Sequence, residues 1–214
     1  MESISKGCVL RDGPIHLLFD STGLKVFGVG EWLQDKHGAK ARCTWKKLHL
    51  AVDADTGTIM ASTLTRNEVG DPSQVAPLLD QIEAAIASVT ADGAYDGMPT
   101  YDVVVQRSED IRVIIPPHVT AVLSAESEQN PSQRDRHILA IADQGRLGWQ
   151  EETDYGKRAL VETEMGRYKA IIGPRLRARS FDGQQTEAAI GVAVLNRMLH
   201  AGRPESVRRM KVAA

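Results

Sequence analysis

A chain of 214 residues, 42% of them hydrophobic, can bury one sizeable core, and residues 1–214 are read as a single domain. Its longest apolar runs, Ile15 to Phe19 and Ile111 to Ile115, fall far short of the roughly 20 residues a membrane-spanning helix requires. The opening Met1-Glu2-Ser3-Ile4-Ser5-Lys6 lacks a secretory apolar core, and Cys8 and Cys43 share no spacing that suggests a metal knuckle or a disulfide framework, so a membrane role is excluded and the expected address is the cytoplasm. The net charge of −2 conceals an asymmetry: from Lys157 to the end 12 Lys and Arg oppose 5 Asp and Glu, a balance of +7 that leaves −9 on the rest. A second basic cluster, Lys36, Lys40, Arg42, Lys46 and Lys47, lies inside the acidic part, so a phosphate-binding surface stands beside simple solvated faces as a reading of these charges.

The first element is the apolar run Ile15 to Phe19, which suits a strand buried on both faces with Asp20 at its exit. Trp45 to Val52 and Thr58 to Thr65 read as two strands of a hairpin joined by the turn residues Asp53 to Gly57. Asp71-Pro72 marks a helix start, with a capping carboxylate and a proline set for the first turn, and Val75, Leu78, Leu79, Ile82 and Ile86 follow at helical spacing. Ser88 to Ala91 forms a short strand that again ends in an aspartate, Asp92. Pro99 to Gln106 suits a crossover helix and Ile111 to Ile115 another strand, a succession that implies parallel pairing. A polar loop is expected over Thr120 to Pro131, within a loop and helical insertion spanning about 116–150. Helices follow at Arg134 to Gly145, at Glu151 to Ile172 up to Gly173-Pro174, and at Gln184 to His200, the last with Ile190, Val194, Leu195 and Met198 on its apolar side.

Two aspartates emerging from adjacent parallel strands meet at the carboxyl edge of a sheet, where open α/β folds place their ligands. Hard oxygen ligands suit magnesium, and two divalent ions about 4 Å apart can share the work of phosphodiester transfer. Asp20 and Asp92 fit that position. A third carboxylate is offered by the helix beginning near Glu152, where Tyr155, Arg158, Glu162 and Lys169 are separated by two, three and six residues. Arg158, Glu162 and Lys169 thereby share a face on which an acid lies between two bases, while Glu164 points elsewhere. The same spacing also suits ordinary ion pairing on an exposed helix.

These residues resemble the DDE transposases of bacterial insertion sequences. Phe19-Asp20-Ser21-Thr22-Gly23-Leu24-Lys25 is similar to the first-aspartate motif, and Ala91-Asp92-Gly93-Ala94-Tyr95-Asp96 to the second. Tyr155, Arg158, Glu162 and Lys169 match the tyrosine, arginine, glutamate, lysine signature in identity and spacing. Arg42 through Asp53 resembles the hairpin between the aspartates, and Gly202 to Ser206 the usual end. The resemblance implies an α/β fold of the ribonuclease H-like type, a mixed sheet beginning with a hairpin and flanked by helices. It implies hydrolysis at transposon ends and strand transfer into target DNA, with two magnesium ions, manganese substituting, and no organic cofactor.

By the same resemblance Asp20 bridges both ions, Asp92 is a principal ligand and Glu162 holds the second ion. Arg158 and Lys169 then hold phosphates, Tyr155 contacts the backbone or a base, and Arg42, Lys46 and Lys47 add DNA contacts. The partner is double-stranded DNA, bound as a dimer, with the protein on the nucleoid when it works. Asp96 is the competitor to Asp92; Asp53 and Asp55 read as turn residues, His49 and His118 as structural or exposed. Trp149 is read as packing, with stacking on an unpaired base as the alternative. One departure is expected to matter: only nineteen residues precede Asp20, too few for an N-terminal helix-turn-helix. Two other functions therefore stand beside transposition, a stand-alone metal-dependent nuclease and a truncated, non-catalytic DNA-binding regulator.

Overall fold

The structure, a computed structural model, describes residues 13–26 and 44–202. Its centre is a mixed sheet in the order β3-β2-β1-β4-β5, formed by β1 (Ile15–Val26), β2 (Trp45–Asp53), β3 (Ile59–Arg66), β4 (Ile86–Thr90) and β5 (Arg112–Ile114). β1, β2 and β3 are antiparallel, whereas β4 and β5 run parallel to β1. A two-residue strand, β6 (Arg175–Leu176), pairs with the far end of β1. Hairpin, central strand and parallel crossovers follow in the order expected from the sequence, and the architecture is ribonuclease H-like. Among the described residues no helix is long and apolar enough to cross a membrane.

β1 corrects the first expectation. The strand does not end at Asp20 but continues to Val26, because β2 pairs with it through Asp20 to Gly23: Asp20 faces Leu50, Ser21 faces His49, Thr22 faces Leu48 and Gly23 faces Lys47. Cross-strand pairing overrides the local turn preference of Ser-Thr-Gly. Alternation along β1 feeds two cores. Leu17 and Phe19 join Val75, Leu78, Tyr95, Val104 and Val113 on one face. Leu18 and Leu24 join Leu48, Leu50, Val161, Met165, Tyr168 and Leu195 on the other.

On the first face a 3-10 turn (Asp71–Gln74) leads into α1 (Val75–Leu79). The helix is shorter than its apolar spacing suggested. Ile82 is buried from the turn that follows, and Ile86 lies in β4. Asp71 caps nothing through its side chain; its carboxylate instead takes the Lys47 ammonium at 2.9 Å. Close by, His49 is fully buried, bonded through Nε2 to the Thr65 hydroxyl at 2.8 Å, and burial holds its pKa at about 4, so it is neutral at pH 7. α2 (Met98–Arg107) is the crossover from β4 to β5.

α3 (Gln133–Thr153) starts on a capping box in which Ser132 and Asp135 satisfy each other's backbone N–H groups. It kinks at Gly145, whose φ of 77° is left-handed, close to where the first of two expected helices ends. The expected long helix from Glu151 to Ile172 is broken into the end of α3 and three further pieces. Asp154 stops α3 with φ 57°, a 3-10 turn spans Tyr155–Arg158, α4 runs Ala159–Arg167, and a π-helical turn covers Tyr168–Ile172 before Gly173 ends it.

α5 (Phe181–His200) packs on the second face with a different side inward from the one its large residues suggested. Ala188, Gly191, Val192 and Leu195 are buried, whereas Ile190, Val194 and Met198 are 59%, 41% and 45% exposed. Small residues let the helix approach closely. A Cβ on Gly191 would lie 2.8 Å from two atoms of the Tyr168 side chain, which is itself buried and cannot swing away. Gly191→Ala is therefore expected to lower unfolding free energy in a urea titration by about 1–2 kcal/mol, the overpacking exceeding the roughly 1 kcal/mol gained in helix propensity. A variant more stable than the parent would show that the α5 contact has slack.

Candidate active site

The parallel register of β1 and β4 sets the first two carboxylates side by side. The last pair is Leu18 with Thr90, and Asp20 and Asp92 each stand two residues further on, with side chains on the same face as Leu18. β6 rejoins β1 only at Lys25 and Val26, so among the described residues β1 has no strand neighbour on that side between these two pairings. α4 lies over this gap, with Val161 and Met165 turned into the core and Glu162 outward.

Asp92 does two things at once. Its Oδ1 accepts the Ala94 N–H at 2.9 Å and so caps the 3-10 turn Gly93–Tyr95. Its Oδ2 lies 3.6 Å from Nη2 of Arg158. The same Nη2 is 3.4 Å from Asp20 Oδ2, and Nη1 is 2.5 Å from Glu162 Oε1. Three carboxylates distant in sequence thus converge on one guanidinium. Exposure rises outward, from 15% at Asp20 through 34% at Asp92 to 56% at Glu162, so the site opens on the helix side.

Burial raises the pKa of Asp20; the Ser21 N–H at 2.7 Å and Arg158 oppose this, while Asp92 and Glu162 add to it. Three formal negative charges face one positive, leaving an excess of two. Among the described residues no three acidic, histidine or cysteine side chains stand close enough to enclose an ion as they are; at this site the guanidinium stands between them. As a donor set, three carboxylates around a shared cation position suit a hard divalent ion.

The other candidates fall into separate groups. Tyr155 is half-buried, its ring 5.3 Å from that of Trp149. Lys169 sits on the π-helical turn, half-exposed, without an ion pair among the described residues. Lys46 and Lys47 occupy opposite faces of β2. Lys46 lies 5.3 Å over the Phe181 ring on the face of the acids, whereas Lys47 is held by Asp71 and the Val69 carbonyl on the other. Arg42, Lys36, Lys40, both cysteines and Arg203 to Ser206 lie outside the described residues.

Asp96 is no free ligand: Arg134 grips it at 2.7 and 2.9 Å and the His118 N–H donates to it at 2.9 Å, which holds its pKa below the usual range although burial opposes this. Glu164 is buried against Arg167 at 2.6 Å. Asp53 accepts from the Thr56 hydroxyl and closes the hairpin turn, and His118 is exposed.

Two features went unseen in the sequence. Arg66 pairs with Lys46 across the hairpin and its guanidinium carbon lies 5.7 Å from the centroid of the same Phe181 ring, so two cations flank one aromatic beside the acid face. Counting outward from the Asp53 to Gly57 turn would place Thr65, not Arg66, opposite Lys46, because the register shifts by one residue between Ala51 and Val52. The second is a relay with no linear signal. Trp149 is fully buried, and its Nε1 donates to His137 Nδ1 at 2.9 Å. His137 Nε2 in turn donates to the Val113 carbonyl at 2.6 Å. Because indole only donates and carbonyl only accepts, the imidazole is the neutral Nε2–H tautomer, in keeping with a pKa lowered by burial.

Among solved structures, a piggyBac transposase, determined by cryo-EM as a synaptic complex with hairpin DNA, matches with a TM-score of 0.54 and 12% identity. The match covers 87% of this chain and 47% of that one, so this chain spans about half the length of that protein and the likeness speaks for the fold. A family model described as the transposase DDE domain matches residues 11–197, a range that contains both aspartates, the hairpin and the helix of Glu162. The chain belongs to the transposase DDE domain family.

Proposed function

We propose that this domain cuts DNA at transposon ends and joins the freed strand to target DNA, with Asp20, Asp92 and Glu162 as its acidic triad. The observation that carries the reading is the convergence of these three side chains on one cation at the carboxyl edge of β1 and β4. Two magnesium ions held by the triad would neutralise the scissile phosphate and activate the attacking water or 3′-hydroxyl. Asp20, the least exposed, holds the inner position; Glu162, the most exposed, completes the outer one. Lys46 and Arg66 on the same face, with Lys169, supply phosphate contacts, and Arg158 offers a bidentate fork. Tyr155, anchored on Trp149, positions the turn that carries Arg158. Two copies act together, since two ends must be brought to one target, and an insertion-sequence origin agrees with the sequence motifs.

The test is an incubation with duplex DNA carrying candidate transposon ends and a labelled target plasmid, in magnesium and then manganese. Joined end-and-target products are the expected result. Cleaved ends without joining would convert the reading to a stand-alone nuclease. Salt-sensitive binding with no cleavage in either ion would leave a non-catalytic regulator.

A further inference from the structure

The triad is occupied by its own protein. Among the described residues Arg158 is the one cation in contact with Asp20, Asp92 and Glu162, and the position it fills is the one toward which all three carboxylates face. We infer that Arg158 is a displaceable counter-cation: without metal it gathers the triad, and a divalent ion enters by taking its place, which releases the guanidinium for a nucleic-acid phosphate. This rests on the metal-site reading above and deepens it.

The contacts are graded as such an exchange requires. At 3.4 and 3.6 Å the two aspartates lie at or beyond the limit of a hydrogen bond, so their hold on Arg158 is mainly coulombic. The Glu162 contact, at 2.5 Å, is short and lies one helical turn away on the exposed side. Losing the aspartates therefore need not mean losing Glu162, and the guanidinium has a route outward along that carboxylate. The seat is also incomplete for an arginine. Its Nε is buried with no hydrogen-bond partner, an unmade bond that favours another position when one is offered. Finally the cation cannot share the seat. A guanidinium and a divalent ion among the same oxygens repel strongly, and a divalent ion in place of Arg158 offsets two of the three formal negative charges where the guanidinium offsets one. Arg158 sits on a single 3-10 turn between α3 and α4, so its side chain can leave without unwinding either helix.

Manganese binding to the metal-free protein, followed by calorimetry, tests this. Arg158→Ala is expected to bind manganese about tenfold more tightly than the parent, because a competing cation is gone, and Arg158→Lys to fall between the two. Asp20→Asn serves as the control that abolishes the tight site. Equal or weaker binding by Arg158→Ala, with the Asp20→Asn loss intact, overturns the displacement and spares the metal site. Absence of any binding sensitive to Asp20→Asn overturns both. A measurement on the unaltered chain guards against a misfolded variant. The Arg158 Nε–H resonance, assigned by its loss in Arg158→Lys, should move during a magnesium titration with the midpoint of magnesium binding. A resonance that stays in place while magnesium binds overturns the proposal.

Discussion

Asp92→Asn is expected to reduce metal-dependent DNA cleavage more than a thousandfold and to leave the thermal midpoint almost unchanged. The substitution removes a charge and little else. An asparagine oxygen can still accept the Ala94 N–H, so the cap on the 3-10 turn and the course of the chain after β4 survive. What is lost is an anionic oxygen where positive charge must be held against a phosphate, worth several kcal/mol of transition-state stabilisation at about 1.4 kcal/mol per tenfold in rate. Cleavage of an end-labelled duplex, with a thermal melt of the same preparation, checks both halves. A rate within tenfold of the parent in magnesium would remove Asp92 from the triad. A large fall in melting temperature would mean that its charge, and not only its cap, holds the fold together.

The largest effect on stability is expected at Trp149. Among the described residues it is the largest fully buried side chain; it lies on α3 and joins three elements, through His137 to the Val113 carbonyl of β5 and through its ring to Tyr155 on the turn that carries Arg158. Trp149→Ala should lower unfolding free energy by about 3–5 kcal/mol through the cavity it leaves, with the unpaired His137 nitrogen adding to it. Trp149→Phe fills most of the space and gives up the indole N–H, so it should fall between. Chemical denaturation of the three proteins measures the series. Near-equal loss in the two variants would assign the effect to the hydrogen bond rather than to packing. Because Tyr155 loses its support, both variants should also cleave more slowly than their remaining folded fraction accounts for.

Elements with a strong apolar period were legible in the sequence, and elements shaped by partners were not. The hairpin from Trp45 to Arg66 and the parallel strands at Val89 and Val113 follow from β-rich runs bounded by turn residues. β1 was read short because Ser21, Thr22 and Gly23 look like a turn in isolation, and only the facing strand shows otherwise. The helix after Glu151 looked continuous because nothing in its composition announces the left-handed Asp154 or the π-helical turn. α5 was turned partly to the wrong side: Leu195 is buried as expected, but Ile190, Val194 and Met198 are not, because bulk was taken as the guide to burial. Against Tyr168 it is the absence of bulk at Gly191 and Ala188 that counts. In the site, Asp20, Asp92, Arg158 and Glu162 were named from spacing, and the structure brings them together. That Arg158 would stand at their centre rather than at the rim depends on side-chain distances no spacing encodes.

The matched overhang of β1 and β4 also limits which length changes the gene can survive. Asp20 and Asp92 are neighbours only because each lies two positions beyond the Leu18 and Thr90 pair. Inserting or deleting one codon between Val89 and Asp92 would invert the second carboxylate to the opposite side of the sheet, into the apolar layer around Tyr95 and Val104. The same edit among residues 120–131 would merely lengthen or shorten turns at the surface. Deep scanning of single-codon indels should therefore show a sharp intolerance at 89–92 flanked by a permissive window some thirty positions downstream, a pattern set by pleat geometry rather than by the chemistry of any one side chain.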